Sequence, residues 1–176
     1  ELESLLGSEA IVPVGSNSAR IQLNQTEIPA QRLGGTTKLA KELNTLETTD
    51  WTQIEQYLRK NLPHHLSYIP NGKIKLGVST YGLKVTPETI NRSALSLKQT
   101  IKKHGRSSRI IANKATELNT AQVLHGGLIS PVGIELLLIS DGVKTILAQS
   151  YWVQDIDAYA DRDQKRPKRD SRVGML

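Results

Sequence analysis

"KIKLGVSTYG" (73–82) is followed, after three residues, by "TPETINRSALSLKQTIKKHG" (86–105), and this pair decides how the chain is read. In the first stretch Ile74, Leu76, Val78 and Thr80 alternate with Lys73, Lys75, Gly77 and Ser79, the two-residue period of a strand with one buried face. In the second the period becomes helical, with Ile90, Ala94, Leu97 and Ile101 on one stripe. Thr86 is placed to cap this helix, Pro87 suits its first position and Glu88 meets the positive end of the dipole. Lys102 and Lys103 suit the other end, and Gly105 can stop it.

Working outward, "SSRIIAN" (107–113) reads as a short strand and "NTAQVLHGGL" (119–128) as a short helix capped by Asn119 or Thr120. "GIELLLIS" (133–140) and "VKTILAQSYWVQ" (143–154) form a hairpin across Asp141-Gly142. Residues 73–153 therefore run strand, helix, strand, helix, strand, strand, an α/β unit of domain size. Upstream, "AIVPVGSNSARIQL" reads as a hairpin around residues 15–18. "TTKLAKELNTL" (36–46) places Leu39, Leu43 and Leu46 on one helical stripe. "DWTQIEQYLRKNL" is a helix capped by Asp50, with Trp51, Ile54, Leu58 and Leu62 on one face, and Pro63 is expected to end it. The turn-rich "YIPNG" (68–72) marks a domain boundary between residues 1–68 and 73–153.

The 176 residues contain no apolar run near the ~18 that a membrane span needs, and no secretory leader is visible. Cysteine is absent, which excludes disulfides and thiolate chemistry and suits a cytoplasmic location. The first residue is Glu1 and the single methionine is Met175, so a piece of a longer protein is expected. Charge is uneven: residues 1–90 carry nine acidic and nine basic side chains, residues 91–176 eight and fourteen. The net +6 thus lies wholly in the second half and points to a polyanionic partner or to an ordinary solvated basic face.

A search for catalytic chemistry is mostly negative. Gly34-Gly35 and Gly126-Gly127 read as turns or helix ends, and His64, His65, His104 and His125 lack ligand spacing. No nucleophile elbow and no Asp/Asn-Pro-Pro-aromatic tetrapeptide occurs. The basic residues carry more information. Arg92, Lys98, Lys102, Lys103, Arg106 and Arg109 run along and just past the 86–105 helix. Lys98, Lys102 and Arg106 fall on a stripe away from the core, where they could meet successive phosphates. Aromatics are few. Tyr151 and Trp152 point to opposite faces of their strand, so one of them is expected in the core, and no base-stacking platform is indicated.

The tail resembles a known family. "QDIDAYADRDQKRPKRDSRVGML" carries Arg162-Asp163, Arg166-Pro167-Lys168-Arg169-Asp170 and Gly174-Met175-Leu176 in series. It resembles the segment that enters the methyltransferase domain of archaeal-type tRNA guanine N2-methyltransferases and related RNA methylases. "ELESLLG", "QRLGGTTKLAKEL" and "AQVLHGGL" are similar to that family's N-terminal region. The resemblance implies an N-terminal ferredoxin-like domain over residues 1–68, lacking its first strand. It implies a THUMP-like RNA-binding α/β domain over 73–153 and a basic connector over 154–176. It further implies tRNA and the protein's own C-terminal methyltransferase domain as partners. S-adenosylmethionine would be the cofactor of the parent enzyme, with none in this stretch. By this reading Arg166, Lys168 and Arg169 join the six basic residues above as RNA-binding candidates, and no catalytic residue is carried over. The alternative is a free-standing basic module that binds protein or nucleic acid without catalysis.

Overall fold

The computed structural model describes residues 2–22, 28 and 30–165. In chain order it contains α1 (Leu2–Leu6), β1 (Ile11–Val14), β2 (Ser18–Ile21), β3 (Lys38–Leu46), α2 (Trp51–Leu66) and β4 (Ile74–Tyr81). There follow α3 (Pro87–Lys103), β5 (Ser108–Ile110), α4 (Thr120–Gly126), β6 (Gly133–Ser140), β7 (Thr145–Val153) and α5 (Ile156–Lys165). The class is mixed α+β: a two-stranded sheet, β1-β2, and a five-stranded mixed sheet of order β3-β7-β6-β4-β5. β4 is parallel to β5 and β6, while β7 is antiparallel to β6 and β3.

The strand–helix pair read first is the centre of this arrangement. Thr86 accepts a hydrogen bond from the Thr89 amide, and Ile90, Ala94, Leu97 and Ile101 are all at most 1% exposed. Burying each large aliphatic side chain stabilises the fold by roughly 1.5–3 kcal/mol. Gly105, at φ +75°, ends the helix by letting the Arg106 amide reach back to the Ile101 carbonyl at 3.2 Å. β4 is more buried than its alternation implies, because both faces of the sheet are covered. One face packs on α2 and α3. On the other, Gly77 lies against Leu118 and Leu128, where any added Cβ would collide with their methyls. The Asn119 cap is a full capping box with Gln122, and Gly127 closes α4 at φ +66°. In the β6–β7 turn the Asp141 carboxylate accepts from the amides of Val143 and Lys144 at 2.8 and 2.7 Å.

Two sequence expectations change. Residues 38–46 form strand β3, not a helix: the segment pairs antiparallel with β7 over its whole length. Register shifts at Leu39/Ala40 and between Glu42 and Asn44 let a helix-like leucine spacing fit an edge strand. Leu43 and Leu46 thereby reach the core beneath α2. Pro63 lies inside α2, which continues to Leu66. Losing one backbone hydrogen bond is offset there by the burial of Leu66 at 4% exposure. Hydrophobic packing is continuous across the turn at residues 68–72. Leu46, Ile54, Leu58 and Leu62 share one cluster with Ile74, Val78, Leu97 and Leu136. Trp51 Nε1 donates to Ser93 Oγ at 3.0 Å, and Ser93 donates to Glu55 at 2.7 Å, which links α2 to α3.

Candidate nucleic-acid interface

α3 presents its core stripe inward, so its basic residues face solvent: Arg92, Lys98, Lys102 and Lys103 are all exposed. β5 is the edge strand beside it, and Arg109 is exposed there. Between the helix and this edge runs a groove of about 310 Å³, lined among others by Lys73, Leu95, Lys98, Ser108 and Arg109. The groove thus joins two of the expected residues, Lys98 and Arg109, with a third cation, Lys73, that precedes β4. Lys102 sits one turn beyond Lys98 on the same side of α3. No acidic side chain lines the groove, and none of its three cations has an ion-pair partner among the described residues. Leu95 is 54% exposed beside them, an apolar floor under a basic rim.

Arg106 is placed differently. Its guanidinium donates to the carbonyls of Leu66 (3.0 Å), Ile69 (2.9 Å), Gly72 (3.4 Å) and Pro70. These are the end of α2 and the turn after it, so Arg106 fastens the α2–β4 connection and does not continue the Lys98/Lys102 stripe. Arg166, Lys168 and Arg169 lie outside the described residues. Tyr151 is 50% exposed and Trp152 half-buried, so neither fills the core place expected for one of them; Val153 does, at 6% exposure.

A second polar cluster lies on the other face of the sheet. Glu135 on β6 is fully buried, and both its oxygens are used. Oε1 accepts from Lys38 Nζ at 2.5 Å and Ser79 Oγ at 2.7 Å, and Oε2 accepts from Ser150 Oγ at 2.6 Å. Lys38 also donates to the Leu118 carbonyl, while Ser79 accepts from the Leu118 amide. Burial, then the charges of Glu135 and Glu117, push the Tyr81 phenol well above its usual range. Lys38 and Tyr81 border a cleft of about 510 Å³ between the β1-β2 hairpin and the sheet, whose rim carries the Arg20–Glu42 pair at 2.8 Å.

Sequence reasoning missed Lys38, Glu135, Lys73 and Ser108. A single carboxylate inside "GIELLLIS" was the one visible signal for the buried pair. For Lys73 and Ser108 the signal is spatial and needs the β4–β5 pairing. Among the described residues no group of three His, Cys, Asp or Glu side chains is placed to hold a metal ion, and no helix is long and apolar enough to cross a membrane. Comparisons with family models and with curated proteins return no match.

Proposed function

We propose that this chain is the tRNA-binding, substrate-recognition region of a cytoplasmic, S-adenosylmethionine-dependent tRNA (guanine-N2) methyltransferase. In this reading residues 1–68 belong to a ferredoxin-like segment and residues 73–153 to a THUMP-like RNA-binding unit. The observation that carries the RNA-binding part is the groove between α3 and β5, where Lys73 just before β4, Lys98 of α3 and Arg109 of β5 meet without an acid among the described lining residues. Unpaired cations on fixed elements attract phosphates and release counterions when they bind them, independent of base sequence. An exposed apolar floor is compatible with a sugar edge of a folded RNA. The enzyme part of the proposal rests on the tail motif at residues 162–176. Methyl transfer would belong to a separate domain that binds S-adenosylmethionine, and no residue described above is assigned to that cofactor.

The test is binding of the 176-residue chain to unmodified tRNA across a salt series, with heparin as competitor. A steep fall in affinity with salt, and retention of tRNA against heparin, are expected. Equal displacement by any polyanion would instead favour a generic basic module that meets acidic proteins.

A further inference from the structure

The groove holds one feature that a merely basic surface does not need. Ser108 is 7% exposed and lines it, yet its hydroxyl has no hydrogen-bond partner among the described residues. A buried hydroxyl without a partner costs free energy, on the order of 1–3 kcal/mol, and marks a place where a partner is missing. The backbone around it points the same way. Ser107 and Ile111 turn their polar groups to β4, through Ile74 N to Ser107 O at 2.9 Å and Ile111 N to Leu76 O at 2.9 Å. Backbone groups alternate along a strand, so the amides of Ser108 and Ile110 face the open edge of the sheet. Ser108 and Ile110 line the same groove as the cations Lys73, Lys98 and Arg109, with no carboxylate among the described lining residues.

We infer that this groove seats a single phosphate group, with Lys73, Lys98 and Arg109 supplying charge and the Ser108 hydroxyl fixing its position. This deepens the RNA-binding reading and rests on it: the ligand is a phosphate of the bound nucleic acid, either an internucleotide diester or a terminal 5′-phosphate. An extended peptide added to the open edge would use the same amides. It would not need three cations, and the unpartnered hydroxyl would remain without a strong acceptor.

The experiment uses the whole chain, a 3′-labelled RNA hairpin with and without a 5′-phosphate, and inorganic phosphate. Wild type is expected to bind the hairpin, and Ser108→Ala to weaken it about ten-fold, as loss of a hydrogen bond to a charged acceptor implies, at an unchanged salt slope. Lys98→Gln is expected to lower the slope by about one. Thermal unfolding of each variant checks that the fold is kept. In parallel, titrating inorganic phosphate into the wild-type chain is expected to shift the Ser108 and Ile110 amide resonances, a readout that no variant has to survive. Dependence on the 5′-phosphate assigns the seat to the RNA end, and independence assigns it to a diester. Ser108→Ala binding as wild type, with silent amides, overturns the seat while leaving RNA binding intact. No hairpin binding by wild type at low salt overturns the RNA reading itself. Strand-like protection of residues 108–110 by an acidic peptide, without any response to phosphate or RNA, overturns the seat in favour of a protein partner.

Discussion

Two polar clusters lie on this sheet, and they differ in who completes them. Around Glu135 every charge has its partner inside the chain: Lys38, Ser79 and Ser150 fill both carboxylate oxygens, and Leu118 closes the ring through its backbone. Around Ser108 the cations have no ion-pair partner and the hydroxyl no hydrogen-bond partner among the described residues, and β5 is the edge of the sheet. Similar residue types therefore do opposite work. A completed cluster ties β3 and the loop before α4 to β6, whereas the incomplete one is where the proposed phosphate would sit. Arg106 and Lys98 repeat the contrast within one helix neighbourhood. One is spent on the carbonyls of the α2–β4 turn, and the other is free to bind.

The comparison can be broken most directly at the buried pair. Lys38→Met leaves Glu135 charged and unpaired, and urea unfolding should show a loss of about 3–5 kcal/mol. The double variant Lys38→Met/Glu135→Leu should recover much of that loss, because the isolated charge is gone. A single variant as stable as wild type would mean that the cluster is not the internal latch described above. Next in size is Arg106→Gln. It leaves several carbonyls short of a charged donor and should cost about 1.5–3 kcal/mol, with RNA affinity of the folded protein unchanged. If Arg106→Gln instead weakened RNA binding while leaving stability intact, the distinction between Arg106 and Lys98 would collapse.

Changes in the groove should have the reverse profile. Lys73→Gln, Lys98→Gln and Arg109→Gln should each leave stability within about 0.5 kcal/mol. Each should lower the slope of log affinity against log salt by about one, as measured by fluorescence anisotropy. The smallest effect concerns His65, near the end of α2. Burial, then the neighbouring charge of His64, hold its pKa below the usual 6.5. The unfolded chain therefore binds the proton more readily, so stability is full above pH 6.5 and declines as pH falls through the lower folded value. Thermal melts from pH 7.5 to 5 should show this decline, and His65→Gln should flatten it.

Much of the fold is legible in the sequence, and the parts that are not share a cause. The caps at Asp50, Thr86 and Asn119, the stripe of α3, the glycine stop at 105 and the Asp141-Gly142 turn all act within a few residues. Local sterics and local hydrogen bonds decide them, so residue order alone was enough. β3 was not legible, because Leu39, Leu43 and Leu46 suit a helix, and only pairing with β7 through two register shifts selects the strand. Pro63 signals a helix end, and only the buried place for Leu66 carries the helix past it.

The candidate site divides along the same line. The amino-acid sequence by itself determined that the second half is basic, that Lys98 and Lys102 face away from the core, and that Arg109 lies on a short strand following that helix in the chain. Tertiary structure alone decided that Arg106 is consumed 40 residues back in the chain at Leu66, that Lys38 meets Glu135 across 97 residues, and that Lys73 and Ser108 join Lys98 in one groove. Side-chain charge is a property of the residue, but whether that charge is already paired depends on which distant elements the fold brings beside it.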